Sequence, residues 1–225
     1  MSLDIIRIRA LCFDVDGTLR DTDDQYVERI ARWLAPLRFL IKQRDVRPMA
    51  RRLVMVIESP ATMLYSLPDR LGLDNHLERI AQALYRLSPP HTSDTFAIVA
   101  GVQPMLDSLA RRYPLAIISA RNERITRAFL EYHDLTKYFT CVATAQTCAH
   151  AKPYPDQIIW AAAQMKISAD SCLMIGDTTM DIRAGNQAGA QTVGVLCGFG
   201  EERELLHAGA DLIVASTSQL MDALQ

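Results

Sequence analysis

Long apolar runs are missing from this sequence of 225 residues. None approaches the ~20 consecutive residues that a membrane-spanning helix needs. The start, Met1-Ser2-Leu3-Asp4, has neither the basic head nor the apolar stretch of a secretory signal. Cysteine is scarce: Cys12, Cys141, Cys148, Cys172 and Cys197 are odd in number, widely spaced and without a CxxC pair. That pattern argues against a zinc site or a disulfide framework and suits small core residues in a reducing compartment. Excess charge is also absent. A formal net charge of −2 gives nucleic acid and anionic membranes no electrostatic basis as main partners. The histidines, His76, His91, His133, His150 and His207, show no metal-ligand spacing, and there is no internal repeat or low-complexity tract. The expectation is a soluble, cytoplasmic protein, and nothing in the pattern fixes its oligomeric state.

What is present suits a buried core: 49% hydrophobic and 22% charged residues. An apolar run over 5–13, broken only by Arg7 and Arg9, stops at Asp14-Val15-Asp16-Gly17-Thr18. It predicts a strand that delivers carboxylates to a loop at its carboxyl end. Short apolar runs recur at 115–119, 141–145, 172–175, 192–196 and 212–215. Helical patterns lie between them, at about 102–112, at 123–132 with Ile125, Phe129 and Tyr132 on one face, and after Pro155 with Ile158, Ile159, Ala162 and Met165. Alternating strands and helices imply an α/β fold with a parallel sheet covered on both faces. Ligands of such sheets bind beyond the carboxyl ends of the strands.

Residues 20–94 break the alternation. Tyr26, Ile30, Trp33, Leu34, Leu37, Leu40 and Ile41 keep a helical stripe, Pro36 predicts a kink, and further helices are expected from Pro48 and from Asp74 or Asn75. The proline-rich stretch 88–93 reads as a return linker. A helical insert between the first two core strands follows, with the core over 1–19 and 95–225.

Four segments at strand ends supply complementary parts of one reaction. In Asp14-Val15-Asp16-Gly17-Thr18, two carboxylates one residue apart can converge where the strand opens into a turn. One carboxylate can attack phosphorus and the other can move protons. In Ser119-Ala120-Arg121, a hydroxyl and the next backbone amide can hold phosphoryl oxygens. In Lys152-Pro153-Tyr154-Pro155-Asp156, a stiff loop can set an ammonium against phosphate and nucleophile. In Gly176-Asp177-Thr178-Thr179-Met180-Asp181, acids at i and i+4 share a side if a helical turn begins there. With Asp14 they make an oxygen-rich site suited to magnesium. Each segment alone has a bland counterpart: solvated loop acids, a common strand-end serine, a surface lysine, a helix start with two acids. Their joint occurrence in this order points to one phosphoryl-transfer site.

Together with the run 182–189, Val193-Gly194-Val195, Gly198-Phe199-Gly200 and Gly209-Ala210-Asp211, these motifs resemble the haloacid dehalogenase-like hydrolase superfamily, in its phosphoglycolate-phosphatase-like branch. The resemblance implies a Rossmann-like core with a small all-helical cap at 20–94. It implies Asp14 as nucleophile, Asp16 as general acid/base, and Ser119, Lys152 and the amides of Val15, Asp16 and Ala120 around the phosphoryl group. It implies Mg2+ held by Asp14, the carbonyl of Asp16 and Asp177, with Asp181 assisting. The implied activity is hydrolysis of a small phosphorylated metabolite, phosphoglycolate-like or a sugar phosphate.

Two positions depart from the family pattern. Ser119-Ala120 stands where Thr-Asn is common, and Arg20 and Arg121 are charged neighbours of the motifs. Either arginine could bind a second anion, with a solvated surface role as the alternative. The basic residues Arg38, Lys42, Arg44, Arg47, Arg51 and Arg52 read as a solvated helix face or a steering patch. Asp16 argues against a dehalogenase, whose relatives lack an acid there. A phosphonate-cleaving enzyme would need a cap lysine, and Lys42 is the only one available. A sugar phosphomutase shares all four motifs and stays open, as does a catalytically silent binding protein on the same fold.

Overall fold

The apolar runs become strands of one sheet because both of its faces are covered, so successive side chains all find a dry neighbour. A computed structural model describes residues 3–21 and 96–225. From residue 22 onward the expected insert lies outside the described residues, and with it the basic stretch Arg38–Arg52, Lys42, His76 and His91. In chain order the elements are β1 (Ala10–Phe13), α1 (Val102–Leu109), β2 (Leu115–Ile118), α2 (Glu123–Tyr132), β3 (Phe139–Ala143), α3 (Asp156–Gln164), β4 (Cys172–Gly176), α4 (Thr179–Gln187), β5 (Gln191–Val195), α5 (Glu202–His207), β6 (Leu212–Val214) and α6 (Leu220–Ala223). The strands pair in parallel in the order β3-β2-β1-β4-β5-β6. This is the expected α/β, Rossmann-like arrangement.

Period-two alternation sorts the strand residues onto two cores. Leu11, Phe13, Leu115, Ile117, Leu173 and Ile175 face one side, against Met105, Leu106 and Leu109 of α1 and Phe129 and Leu130 of α2. Ala10, Cys12, Ala116, Ile118, Cys172 and Met174 face the other, against Ile158, Ala161 and Ala162 of α3 and Ala184 of α4. Each large side chain so buried contributes roughly 1.5–3 kcal/mol. The second face carries smaller residues, which lets α3 and α4 approach closely and bring their amino ends to the rim of the sheet.

Three local expectations need correction. The first strand starts at Ala10, because residues 5–7 form a turn in which Ile6 is exposed. Tyr132 does not share the buried face of α2. It is exposed, although its ring lies tilted against Phe96 and edge-on to His133, and Thr126 and Leu130 are buried instead. On α3, Ile159 points to solvent while Gln157 is buried, since the stripe follows 157, 158, 161 and 162. The cysteines are all free as expected, with Cys12 and Cys172 buried and the other three half-buried.

Candidate active site

Because β1 lies between β2 and β4, the carboxyl ends of these three strands open side by side. Chain direction across the sheet reverses there, which is where α/β sheets place ligands. Asp14 follows β1, and its amide donates to the carbonyl of Ile175 on β4 at 2.9 Å. The next turn is tight: the carbonyl of Val15 accepts from the amides of Thr18, Leu19 and Arg20. Gly17 permits it with φ of 78°, a left-handed conformation that side chains rarely adopt.

Lys152 is the hub of the site. Its ammonium lies 2.5 Å from Oδ1 of Asp14 and 2.6 Å from Oδ1 of Asp181. All three residues are buried. Asp181 is the third residue of α4, and Thr178 caps that helix by accepting from the Asp181 amide. In return, Oδ2 of Asp181 accepts from the Thr178 amide at 3.0 Å and hydroxyl at 2.6 Å. Both oxygens of Asp181 are therefore engaged, one on Lys152 and the other on Thr178. Asp177 precedes the helix, so the two acids meet through a strand-to-helix turn, not as i and i+4 on one helix face. Oδ2 of Asp177 accepts from the Phe199 amide at 2.7 Å, and Oδ1 lies 3.5 Å from the Thr18 hydroxyl.

Asp14, Asp177 and Asp181 can each offer an oxygen within 4.8 Å of the others, forming a candidate metal site. Hard carboxylate oxygens suit a hard divalent cation. Electrostatics point the same way. Burial, then repulsion from Asp181 and Asp16, pushes the Asp14 carboxyl up to about 7, with Lys152 opposing. Burial, then repulsion from Asp14 and Asp181, raises Asp177 well above the usual carboxylate range. Burial alone would lower Lys152, but Asp14 and Asp181 together hold it raised and charged. One ammonium does not satisfy three buried acids, and a cation would.

Ser119 follows β2 and is buried, with its hydroxyl accepting from the Arg121 amide at 3.1 Å. Ala120 beside it is exposed and Val15 is buried. Asp16 stands apart from the three buried acids. Its Oδ2 lies 2.5 Å from Nε of Arg121 and its Oδ1 3.3 Å from a terminal nitrogen of Arg20. The side chains of Arg20 and Arg121 are only 14% and 18% exposed. The solvated surface role weighed for them is not what the structure shows.

Two contributions escaped the sequence reading. Gln157 donates to the carbonyls of Ser119 at 3.0 Å and Thr144 at 2.8 Å, tying the ends of β2 and β3 together. A glutamine on an apolar helix stripe was the available signal. Gly198 packs so closely on Asp177 that a β-carbon there would overlap its Oδ2. The glycines flanking Phe199 marked that loop without revealing its target.

The family model described as haloacid dehalogenase-like hydrolase matches residues 11–195 of this chain. The chain belongs to that family. As a haloacid dehalogenase-like hydrolase it has relatives at modest identity over nearly its full length. It is 27% identical to a probable phosphatase IndB of Dickeya dadantii, over 94% of this chain and 91% of the relative. It is 26% identical to a phosphoglycolate phosphatase of Photobacterium profundum, over 97% and 96% of the two chains. A pyrophosphatase PpaX of Anoxybacillus flavithermus is also 26% identical, over 97% and 98%. Among solved structures, a predicted phosphatase from Clostridium acetobutylicum superposes with a TM-score of 0.68 at 22% identity, covering 96% of this chain and 97% of that one. That likeness speaks to the fold alone. Among the described residues no helix is long and apolar enough to cross a membrane.

Proposed function

We propose that this hydrolase is a Mg2+-dependent phosphatase acting on a small phosphorylated metabolite, phosphoglycolate-like or a sugar phosphate, through an aspartyl phosphate on Asp14. The reading takes residues 1–19 and 95–225 as the catalytic core and 20–94 as an inserted cap domain. One observation carries it: the Lys152 ammonium bridges Asp14 and Asp181 inside a buried group of acids, at the rim where β1, β2 and β4 end. Relatives named phosphoglycolate phosphatase and pyrophosphatase support a phosphoryl substrate.

Asp14, Asp177 and the carbonyl of Asp16 would hold the cation, which when bound offsets the repulsion between carboxylate and phosphate. Lys152 holds one oxygen of Asp14 and thereby orients the carboxylate. A carboxylate oxygen of Asp14 attacks phosphorus, the bond to the leaving oxygen breaks, and Asp16 supplies the proton that makes a neutral alcohol. Asp16 then takes a proton from water, whose oxygen attacks the phosphoryl group, releasing phosphate and regenerating Asp14. The Ser119 hydroxyl, which accepts from the Arg121 amide, can donate to a phosphoryl oxygen. Amides of Val15, Asp16 and Ala120 complete the proposed cradle.

The test is phosphate release from a panel of phosphorylated metabolites with and without Mg2+. Turnover should require Mg2+ and fall by about 10⁴-fold or more in Asp14→Asn. Absence of phosphate release from every ester would overturn the reading, and a phosphoaspartate that persists after the substrate leaves would point to a mutase instead.

A further inference from the structure

We infer that Gln157 is a positioning residue for phosphoryl binding: by holding the Ser119 carbonyl, it aims the Ala120 amide and the Ser119 hydroxyl at the phosphoryl group. The inference rests on the phosphatase reading and adds a residue to it. Gln157 occupies the first turn of α3 and is 1% exposed. Its neighbours on the buried stripe, Ile158, Ala161 and Ala162, are apolar, and packing alone would be served by another apolar side chain. Instead the amide nitrogen donates to the carbonyls of Ser119 at 3.0 Å and Thr144 at 2.8 Å. The amide oxygen has no partner among the described residues. Turning the amide over would set that oxygen against two carbonyls, so the observed orientation is the one the site enforces. A buried acceptor left unpaired costs stability, and what accompanies that cost is a grip on two strand ends.

The grip falls where the sheet lets go. In a regular parallel ladder, a residue bonds through both its amide and its carbonyl to the same partner strand. The Ser119 amide does donate to the Ala143 carbonyl of β3 at 2.9 Å. The Ala145 amide, which would return the bond to Ser119, goes to the Arg121 carbonyl at 2.9 Å instead. Gln157 takes over the carbonyl so released. Ser119 is thereby fixed at both ends of its backbone, which sets the direction in which its side chain leaves. The following peptide is fixed too. It is a planar trans unit, so its N–H, that of Ala120, points opposite to the carbonyl that Gln157 holds. Among the described residues that N–H has no partner, and Ala120 is exposed beyond the end of β2. A donor aimed outward and fixed in advance binds an oxyanion without first reorganising. Lys152 lies in the loop that leads into α3. One helix start thus places both the ammonium that holds Asp14 and the peptide that follows Ser119.

The experiment follows competitive inhibition by inorganic phosphate alongside kcat and KM for the best ester of the panel. Gln157→Met keeps the length and apolar packing of the side chain but has no donor. Ile158→Val, on the same stripe, loosens the core without touching the Ser119 carbonyl and serves as the control. Gln157→Met should raise both the phosphate inhibition constant and KM by about three- to tenfold, the range of one ordinary hydrogen bond. Ile158→Val should leave both unchanged, whatever it does to Tm. Gln157→Asn keeps the amide but not the reach, and replaces the methionine variant should that fail to fold. In the wild type, the Ala120 amide proton should also move downfield in NMR spectra as inorganic phosphate is added with Mg2+. A folded Gln157 variant with wild-type inhibition constant and KM overturns the inference, and so does an Ala120 amide that ignores saturating phosphate. Equal losses in Ile158→Val overturn it as well, because any loosening of α3 would then have the same effect. These results leave the phosphatase reading standing, whereas no phosphate release from any ester by the wild type overturns both.

Discussion

At Asp14, two opposing effects act on one carboxyl group. Burial raises it toward about 7 and the Lys152 ammonium pulls it back. Asp177 is raised for the same first reason, without a lysine in direct contact. A raised folded-state value means the metal-free fold holds the proton more tightly than the unfolded chain does. Stability of the metal-free protein therefore falls as pH rises from the ordinary carboxyl value of 3.8 through about 7. A cation binds the ionised forms, so its stabilising effect grows over the same interval. Thermal melts should show a larger rise in Tm on adding Mg2+ at pH 8 than at pH 5. Asp177→Asn should melt a few degrees higher than wild type without metal, each kcal/mol being about 2–4 °C at this size, and should lose the Mg2+ response. Equal Mg2+ shifts at both pH values would count against the acids as the metal site. The acids themselves were plain in the sequence as chemistry. Their proton affinities were not, because those depend on burial and on neighbours as distant as residues 14 and 181.

Elements matter here mainly through their ends. The amino end of α4 is built by a reciprocal cap between Thr178 and Asp181, so the residue that orients Lys152 also starts the helix. The loop after β5 closes on Asp177 from the other side, with the Phe199 amide bonding it and Gly198 in close approach. Gly198→Ala should push Asp177 off its bond and weaken Mg2+ affinity by about 10–100-fold, the usual effect of disturbing a partner behind a metal ligand. Activity titrated against Mg2+ reads this directly. Unchanged affinity would mean that the loop does not set the position of Asp177. The strands, apart from the start of β1, and the helices α1, α2 and α3 were legible to within a few residues, since covered strands appear as apolar runs and helices as stripes, whereas α4, α5 and α6 were not placed. Element ends were less so. The turn before β1 and the exposure of Tyr132 depend on what packs alongside, and Phe96 and His133 hold that ring on the surface.

Across the whole molecule, the order β3-β2-β1-β4-β5-β6 puts the shortest strand, β6, at one edge and the reactive ends of β1, β2 and β4 together. Stability should follow the same gradient. Amides of β1 and β4, buried on both faces, should exchange with solvent only on global unfolding, whereas those of β6, half-buried at the edge, should open at lower free energy. Hydrogen exchange resolved by strand checks this, and equal protection of β6 and β1 would contradict it. By itself the sequence determined the alternation of strands and helices, the loop chemistry at four strand ends and the family resemblance, because these are local patterns of polarity and residue type. Only the tertiary structure decided which acids share Lys152, that Asp14, Asp177 and Asp181 lie together, and that Arg20 and Arg121 turn inward onto Asp16. Those outcomes arise between residues separated by up to about 160 positions, and long-range proximity leaves no trace in local pattern.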